Sequence, residues 1–205
     1  MCAIKHRLRK YLIMGSQDCH RDPKDILTEA IAAGITAFQY REKGPGSLRG
    51  DHQVELGRQL RKACYEHDIL FIVNDDVHLA KLLDADGLHI GQNDISVEKA
   101  RTLFPNKIIG LSVSNTTEVD QSPMHLVDYI GAGPIFKTAT KPDKKPVGIQ
   151  WIKTLRAEFP TIPIVGIGGI NIVNATSVIH AGADGVACIT AVTQGDPIKE
   201  VVAQL

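Results

Sequence analysis

Asn74, Asp75 and Asp76 stand together where the apolar run "LFIV" gives way to the helical spacing of "VHLAKLL". One acid at such a junction suits a helix N-cap, because a carboxylate accepts the orphan amides of the first turn. Asp94 follows the next apolar run and precedes a helical segment at Val97 that it could cap in the same way. Two carboxylates at neighbouring strand ends have a second use: they can share a hard cation. Mg²⁺ commonly takes one or two protein carboxylates and completes its octahedron with phosphate and water. Arg41, Lys43 and Lys141 lie in loops that would face this acidic pair. A single Lys or Arg is most often a solvated surface charge. Three of them around two acids suit a polyanion, and cations with a metal are what a departing diphosphate requires. His89, inside the apolar run "GLHI", reads as a satisfied structural histidine and stays outside the catalytic set.

A second phosphate signal comes later in the chain. "GIGG" at Gly166 lacks both the G-K-[ST] ending of a P-loop and the full dinucleotide fingerprint, so it suits a monophosphate held by backbone amides. The same glycines would serve equally to let two backbones pack closely.

These residues need a scaffold that brings them to one place. Strand-length apolar runs begin at Tyr11, Thr36, Leu70, Gly87, Lys107, Asp128, Pro163 and Gly185, eight in all. Helical spacing fills most gaps, over residues 23–33, 51–67, 77–83, 97–104, 149–159 and 172–181. Asp22 before Pro23 is an N-cap signal, and Gly34 and Gly182 are stops. "NTTEVDQSPMHLV" is the weakest segment, since Pro123 must end any helix early. Eight strand–helix units without a composition break predict an α/β fold, a single-domain TIM (β/α)₈ barrel, with residues 1–10 as an N-terminal extension or edge segment. An open doubly wound sheet is the rival. In the barrel, the acids, the cations and the glycines after the seventh strand converge on one mouth.

Composition narrows the function. The chain has 205 residues, with 23 basic and 23 acidic side chains, so no global field draws it to nucleic acid or an anionic membrane. Apolar stretches such as "IPIVGIGGINIV" are interrupted well short of the roughly 20 residues of a membrane helix. "MCAIKHRLRK" lacks the apolar core of a secretory signal, and the four scattered cysteines form no metal or redox pair. A cytoplasmic enzyme of small phosphorylated molecules is the expectation, and self-association is compatible with it.

Taken in order, "QYREK" at Gln39, "NDD" at Asn74, "HIGQND" at His89, "GLS" at Gly110, "GPIFKTATK" at Gly133, "GIGGI" at Gly166 and "GADGVACIT" at Gly182 resemble the thiamine phosphate synthase family. The resemblance runs from about Tyr11 to the C-terminal helix. It implies a Mg²⁺-assisted transferase that joins a pyrimidine diphosphate to a thiazole phosphate, with Asp75 and Asp94 as metal ligands. Arg41, Lys43, Asn74 and Lys141 would contact the diphosphate, and Gln39 and Ser112 would place the pyrimidine ring. Tyr40 and Glu42 would complete that substrate surface. Thr138, Ala139 and Thr140 would line the thiazole phosphate region, with Gly169, Ile189 and Thr190 at its phosphate. Asp76 would be left as a cap or supporting acid. Lys137 stands where the family often has Pro, and Val113-Ser114 where it often has Thr-His. The related thiazole tautomerase, which carries a His after the fifth strand, resembles this chain less. A silent phosphate-binding barrel would show gaps among the cation and acid positions, and none occurs.

Overall fold

The computed structural model describes residues 2–140 and 144–205. Eight parallel strands close into a barrel in sequence order. They are β1 (Lys10–Met14), β2 (Ala37–Tyr40), β3 (Leu70–Asn74), β4 (Gly87–Ile90), β5 (Ile108–Val113), β6 (Tyr129–Ala132), β7 (Ile164–Ile167) and β8 (Gly185–Cys188). The helices are α1 (Cys2–Arg7), α2 (Pro23–Ala32), α3 (Gly50–Glu66), α4 (Val77–Leu82), α5 (Val97–Leu103), α6 (Thr116–Asp120), α7 (Gln150–Glu158), α8 (Ala175–His180), α9 (Thr190–Thr193) and α10 (Ile198–Ala203). The expected barrel is the observed one. No helix among the described residues is long and apolar enough to cross a membrane.

The period-two alternation of each strand separates two cores. Phe38 and Tyr40 join the large cluster between sheet and helices, whereas Ala37 belongs to the barrel interior with Tyr11, Leu70, Ile72, Tyr129, Val165 and Ala187. Of residues 1–10, the segment 2–7 forms α1, Leu8 is fully buried in the interior cluster, and Lys10 is already in β1. Asp22 caps α2 by accepting from the Lys24 amide, with Pro23 in its first turn. The weak fifth segment is the short α6, which ends before Pro123. The predicted start of a helix at residue 172 is corrected to Ala175, because Asn171 and Asn174 spend their side chains on a turn. Asn171 Oδ1 accepts from the Val173 amide, and Asn174 Oδ1 from the Asn171 amide, both at 2.9 Å.

The N-terminal rim of the barrel is fastened by a motif repeated every two strands. Asp86, Asp128 and Asp184 stand just before β4, β6 and β8, and each accepts the backbone amide of the preceding strand: Phe71 at 2.9 Å, Ile109 at 2.8 Å and Ile164 at 2.9 Å. Each is also paired with an arginine from the helix one unit earlier: Arg61 of α3, Arg101 of α5 and Arg156 of α7. Arg156 further donates to the carbonyls of Phe159, Pro160, Ile162 and Gly182. Arg101 likewise collects the carbonyls of Phe104, Pro105, Lys107 and Leu126, while Arg61 takes that of Asp84 alone. At the β1–β2 pair Thr36 takes the aspartate's part, its hydroxyl accepting from the Lys10 amide at 3.0 Å.

Candidate active site

A cavity of about 410 Å³ opens at the C-terminal ends of the strands. Its described lining includes Gln39, Arg41, Asn74, Ser112, Thr138, Ala139, Thr140, Gly169, Ile189 and Thr190, all anticipated from the sequence. Arg41, Lys137 and Lys144 bring three cations to that wall, and no carboxylate lines it among the described residues. A neutral chain therefore builds a locally positive mouth, and the low-dielectric wall concentrates that field on an entering anion.

At one edge of the mouth, the Lys43 ammonium is hydrogen-bonded to the Asp75 carboxylate and lies 4.0 Å from Asp94 Oδ1. Asp75 takes a left-handed backbone, with φ of 49°, between β3 and α4. Asp and Asn tolerate that conformation better than most residues. Its amide donates to the His89 carbonyl at 2.9 Å, which ties its position to β4. The cap belongs to Asp76, whose Oδ1 accepts from the Leu79 amide at 2.9 Å. Asp94 is no helix cap: its Oδ2 accepts from the Gly91 amide at 2.7 Å, and Ser96 caps α5 instead. Two carboxylates already gathered around an ammonium form a position that favours a cation, and oxygen-only donors suit Mg²⁺. No group of three or more metal-ligating His, Cys, Asp or Glu occurs among the described residues. An ion held by Asp75 and Asp94 would draw its remaining ligands from phosphate and water.

The floor of the cavity is polar and fully paired. Gln39 Nε2 donates to the Tyr11 hydroxyl at 3.0 Å, which lies 3.0 Å from the Tyr129 hydroxyl. The Tyr129 hydroxyl is 2.7 Å from His89 Nδ1, and His89 Nε2 is 2.8 Å from Ser112 Oγ. Burial pushes both phenols up from their ordinary range, so they stay protonated. Glycines make the room. A Cβ on Gly110 would run into the Tyr129 ring, and one on Gly131 would come within 2.9 Å of His89 Cε1. His89 is thus a paired histidine, as its apolar strand suggested, but it also lines the cavity.

The opposite wall comes from the loops after β6, β7 and β8. Ile135 and Phe136 donate their amides to the carbonyls of Ile167 and Gly168, at 2.9 and 3.0 Å, so the loop after β6 is laid along the glycines after β7. Gly168 and Gly169 both have positive φ, and a Cβ on Gly169 would lie 2.5 Å from the Lys137 carbonyl oxygen. The packing reading of "GIGG" holds here, and close packing of these glycines brings the loop's backbone to the cavity. Thr190 opens the short helix α9 at the same place, and a helix's first amides lack intrahelical acceptors.

Two expectations are corrected. Tyr40 alternates away from Gln39, is 1% exposed, and donates its hydroxyl to the Gln53 carbonyl of α3. Glu42 is consumed by three donors, the Ser16 amide and hydroxyl and the Leu48 amide, which fasten the loops after β1 and β2 together. Neither side chain lines the described cavity. Lys141 lies outside the described residues. Sequence reasoning passed over Lys144, Asn171 and Gln194, which also line the cavity. Their only sequence signal is position in a loop that follows a strand. Ser114 is bonded through its amide and hydroxyl to Glu118.

A closed parallel barrel whose mouth joins a cationic wall to an acidic pair defines a barrel enzyme that handles phosphorylated substrates. Comparison with known proteins makes this specific. The profile of the thiamine monophosphate synthase family matches residues 10–192. A "Thiamine-phosphate synthase" of Oceanobacillus iheyensis is 60% identical over 202 residues, covering 98% of each chain. One from Staphylococcus saprophyticus is 46% identical over 203 residues, covering 98% of this chain and 96% of that one. The solved thiamine phosphate pyrophosphorylase of Pyrococcus furiosus superposes with a TM-score of 0.87 at 34% identity, covering 98% of this chain and 95% of that one. The chain belongs to the thiamine monophosphate synthase family, and its activity is that of a transferase making thiamine phosphate.

Proposed function

We propose that the chain joins 4-amino-2-methyl-5-hydroxymethylpyrimidine diphosphate to hydroxyethylthiazole phosphate by a dissociative substitution assisted by Mg²⁺. The observation that carries this reading is the juxtaposition of the Lys43–Asp75–Asp94 cluster with a cation-lined cavity free of carboxylates among its described residues. Asp75 and Asp94 hold the metal, while Arg41, Lys43, Asn74 and Lys141 hold the diphosphate. Bound Mg²⁺ supplies Lewis-acid neutralisation of charge on the departing diphosphate. The bond between the pyrimidine methylene carbon and oxygen breaks, and its electron pair leaves on the diphosphate. Gln39 and Ser112 keep the resulting resonance-stabilised cation in place. The thiazole nitrogen then gives its lone pair to the same carbon. Thr138, Ala139 and Thr140 line the thiazole phosphate region, and Gly169, Ile189 and Thr190 hold that phosphate so that the nitrogen faces the carbon. No enzyme nucleophile or general base takes part.

The test is a two-substrate assay with mass detection of thiamine phosphate. Product is expected only with Mg²⁺ or a similar divalent ion, and Asp75→Asn, which tolerates the left-handed backbone, is expected to lose it. Full turnover in excess chelator, or wild-type turnover by Asp75→Asn, would refute the metal assignment. Calorimetry with inorganic diphosphate isolates the anion site: binding as tight without Mg²⁺ and in Arg41→Met as in the complete system would remove that part of the reading.

A further inference from the structure

The polar line across the cavity floor has a direction. Gln39 Nε2 donates to the Tyr11 hydroxyl, whose single proton then points to the Tyr129 oxygen. Tyr129, having accepted that bond, has its own proton left for His89 Nδ1. A ring nitrogen that accepts carries no proton, so the neutral imidazole is protonated on Nε2 and donates to Ser112 Oγ. The Ser112 proton is left for the cavity that this side chain lines. We propose that Gln39, acting through Tyr11 and Tyr129, fixes the tautomer of His89 and thereby makes Ser112 a hydrogen-bond donor toward the cavity.

Reversal of the Gln39 amide would reverse every bond in the line. Tyr11 would donate to Gln39, Tyr129 to Tyr11, and His89 Nδ1–H to Tyr129. Ser112 would then spend its proton on His89 Nε2 and face the cavity as an acceptor. The polarity of one amide, on the far side of the barrel, decides what kind of atom Ser112 can receive. Tyr11 and Tyr129 are positioning residues, since neither lines the cavity and each acts through His89. The line is built for this use in three respects. Both phenols are held protonated by burial, Gly110 and Gly131 clear the space for Tyr129 and His89, and both ring nitrogens of His89 are paired. A donor fixed in advance favours a heterocycle that brings a ring-nitrogen lone pair to it and rejects one that brings an N–H. Only that last step, the identity of the acceptor, rests on the proposed pyrimidine substrate. The tautomer is a property of the ligand-free protein.

Nitrogen-15 NMR of histidine-labelled, ligand-free protein reads the tautomer directly, with the His89 signals assigned by their loss in His89→Asn. The expected wild-type spectrum has a pyridine-type Nδ1 and a pyrrole-type Nε2 for this ring. Gln39→Glu, whose ionised carboxylate can only accept, should interchange the two. Tyr129→Phe keeps the ring, removes the hydroxyl, and should turn the single tautomer into a mixture. A pyrrole-type Nδ1 in the wild type overturns the inference. So does a folded Gln39→Glu, or a Tyr129→Phe, that keeps the wild-type pattern. Because no substrate is present, failure here is distinct from failure of the two-substrate assay.

Discussion

Gly169→Ala places a single methyl group at the point where the loops after β6 and β7 cross, and its cost has two separable parts. Gly169 has φ of 68°, a left-handed conformation that costs a residue with a Cβ about 1–2 kcal/mol. The new Cβ would also stand 2.5 Å from the Lys137 carbonyl oxygen and 2.8 Å from Phe136 Cβ. The first of these is backbone, so no rotamer change relieves it, and the loop must move or the overlap persists. Overpacking of this kind costs about 1–3 kcal/mol where nothing yields. If the loop stays, the total is about 2–5 kcal/mol, and a chain of this length loses about 2–4 °C in Tm per kcal/mol. If the loop moves, stability falls by the smaller backbone cost alone, and Thr138 and Thr140 shift away from Gly169 and Thr190. The displacement then appears as a raised KM for the thiazole phosphate, with the KM for the pyrimidine diphosphate little changed. Thermal unfolding and the two KM values distinguish these cases. An alanine variant with wild-type Tm and both KM values unchanged would refute the claim that this glycine is required by the crossing of the two loops.

Further outcomes follow from the same structure. Asp76→Ala removes the cap of α4 and should cost about 0.5–2 kcal/mol in unfolding experiments, with kcat close to wild type; a large loss of kcat would contradict a purely capping role for Asp76. Arg156→Met leaves Asp184 with only Lys5 and the Ile164 amide. Those two charged side chains are only 23% and 18% exposed, so the cost should approach, without reaching, the ~3–5 kcal/mol of a fully buried broken pair, with KM unchanged. Burial pushes the thiols of Cys19, Cys64 and Cys188 up to about 12. At pH 8 only about one thiol in ten thousand is then ionised. In a Cys2→Ser, Cys19→Ser background a thiol reagent should label Cys64 and Cys188 only after denaturant is added, and rapid labelling of either in the native protein would contradict its burial.

The barrel was legible because its signal is periodic and repeated. Each apolar run has strand length, and several of the helices between them carry caps and stops of recognisable type, such as Asp22-Pro23 and Gly34 around α2. The mouth residues were legible for a related reason, since the end of an apolar run marks the end of a strand. Side-chain direction was the harder property. "QYREK" reads as one polar cluster, yet alternation sends Gln39 inward and Tyr40 against α3, and Glu42 is taken up by the β1 loop. The line joining Gln39, Tyr11, Tyr129, His89 and Ser112 left no local trace at all. Its members come from five different strands, β1, β2, β4, β5 and β6, and each looks like an ordinary residue of its own strand. Register brings them together, and register is a property of the closed sheet.

The two rims of the barrel divide the work between them. At the N-terminal rim, charge is spent on fastening: Asp86, Asp128 and Asp184 each bind one strand amide and one arginine, and the arginines absorb the carbonyls at helix ends. Those carboxylates are bound by the protein itself. At the C-terminal rim, Arg41, Lys137 and Lys144 face a cavity without a carboxylate among its described lining, Glu118 lies 3.9 Å from the Lys144 ammonium, and Lys43 is shared unequally between Asp75 and Asp94. Cations there exceed the acids that could neutralise them within the cavity, and the acids beside it are gathered where an oxygen-seeking cation fits. An arriving polyanion with its metal would satisfy both groups at once. A fold whose stability is secured at one rim can carry such an excess of cations at the other, and that separation would let the mouth bind strongly charged substrates without the barrel depending on them.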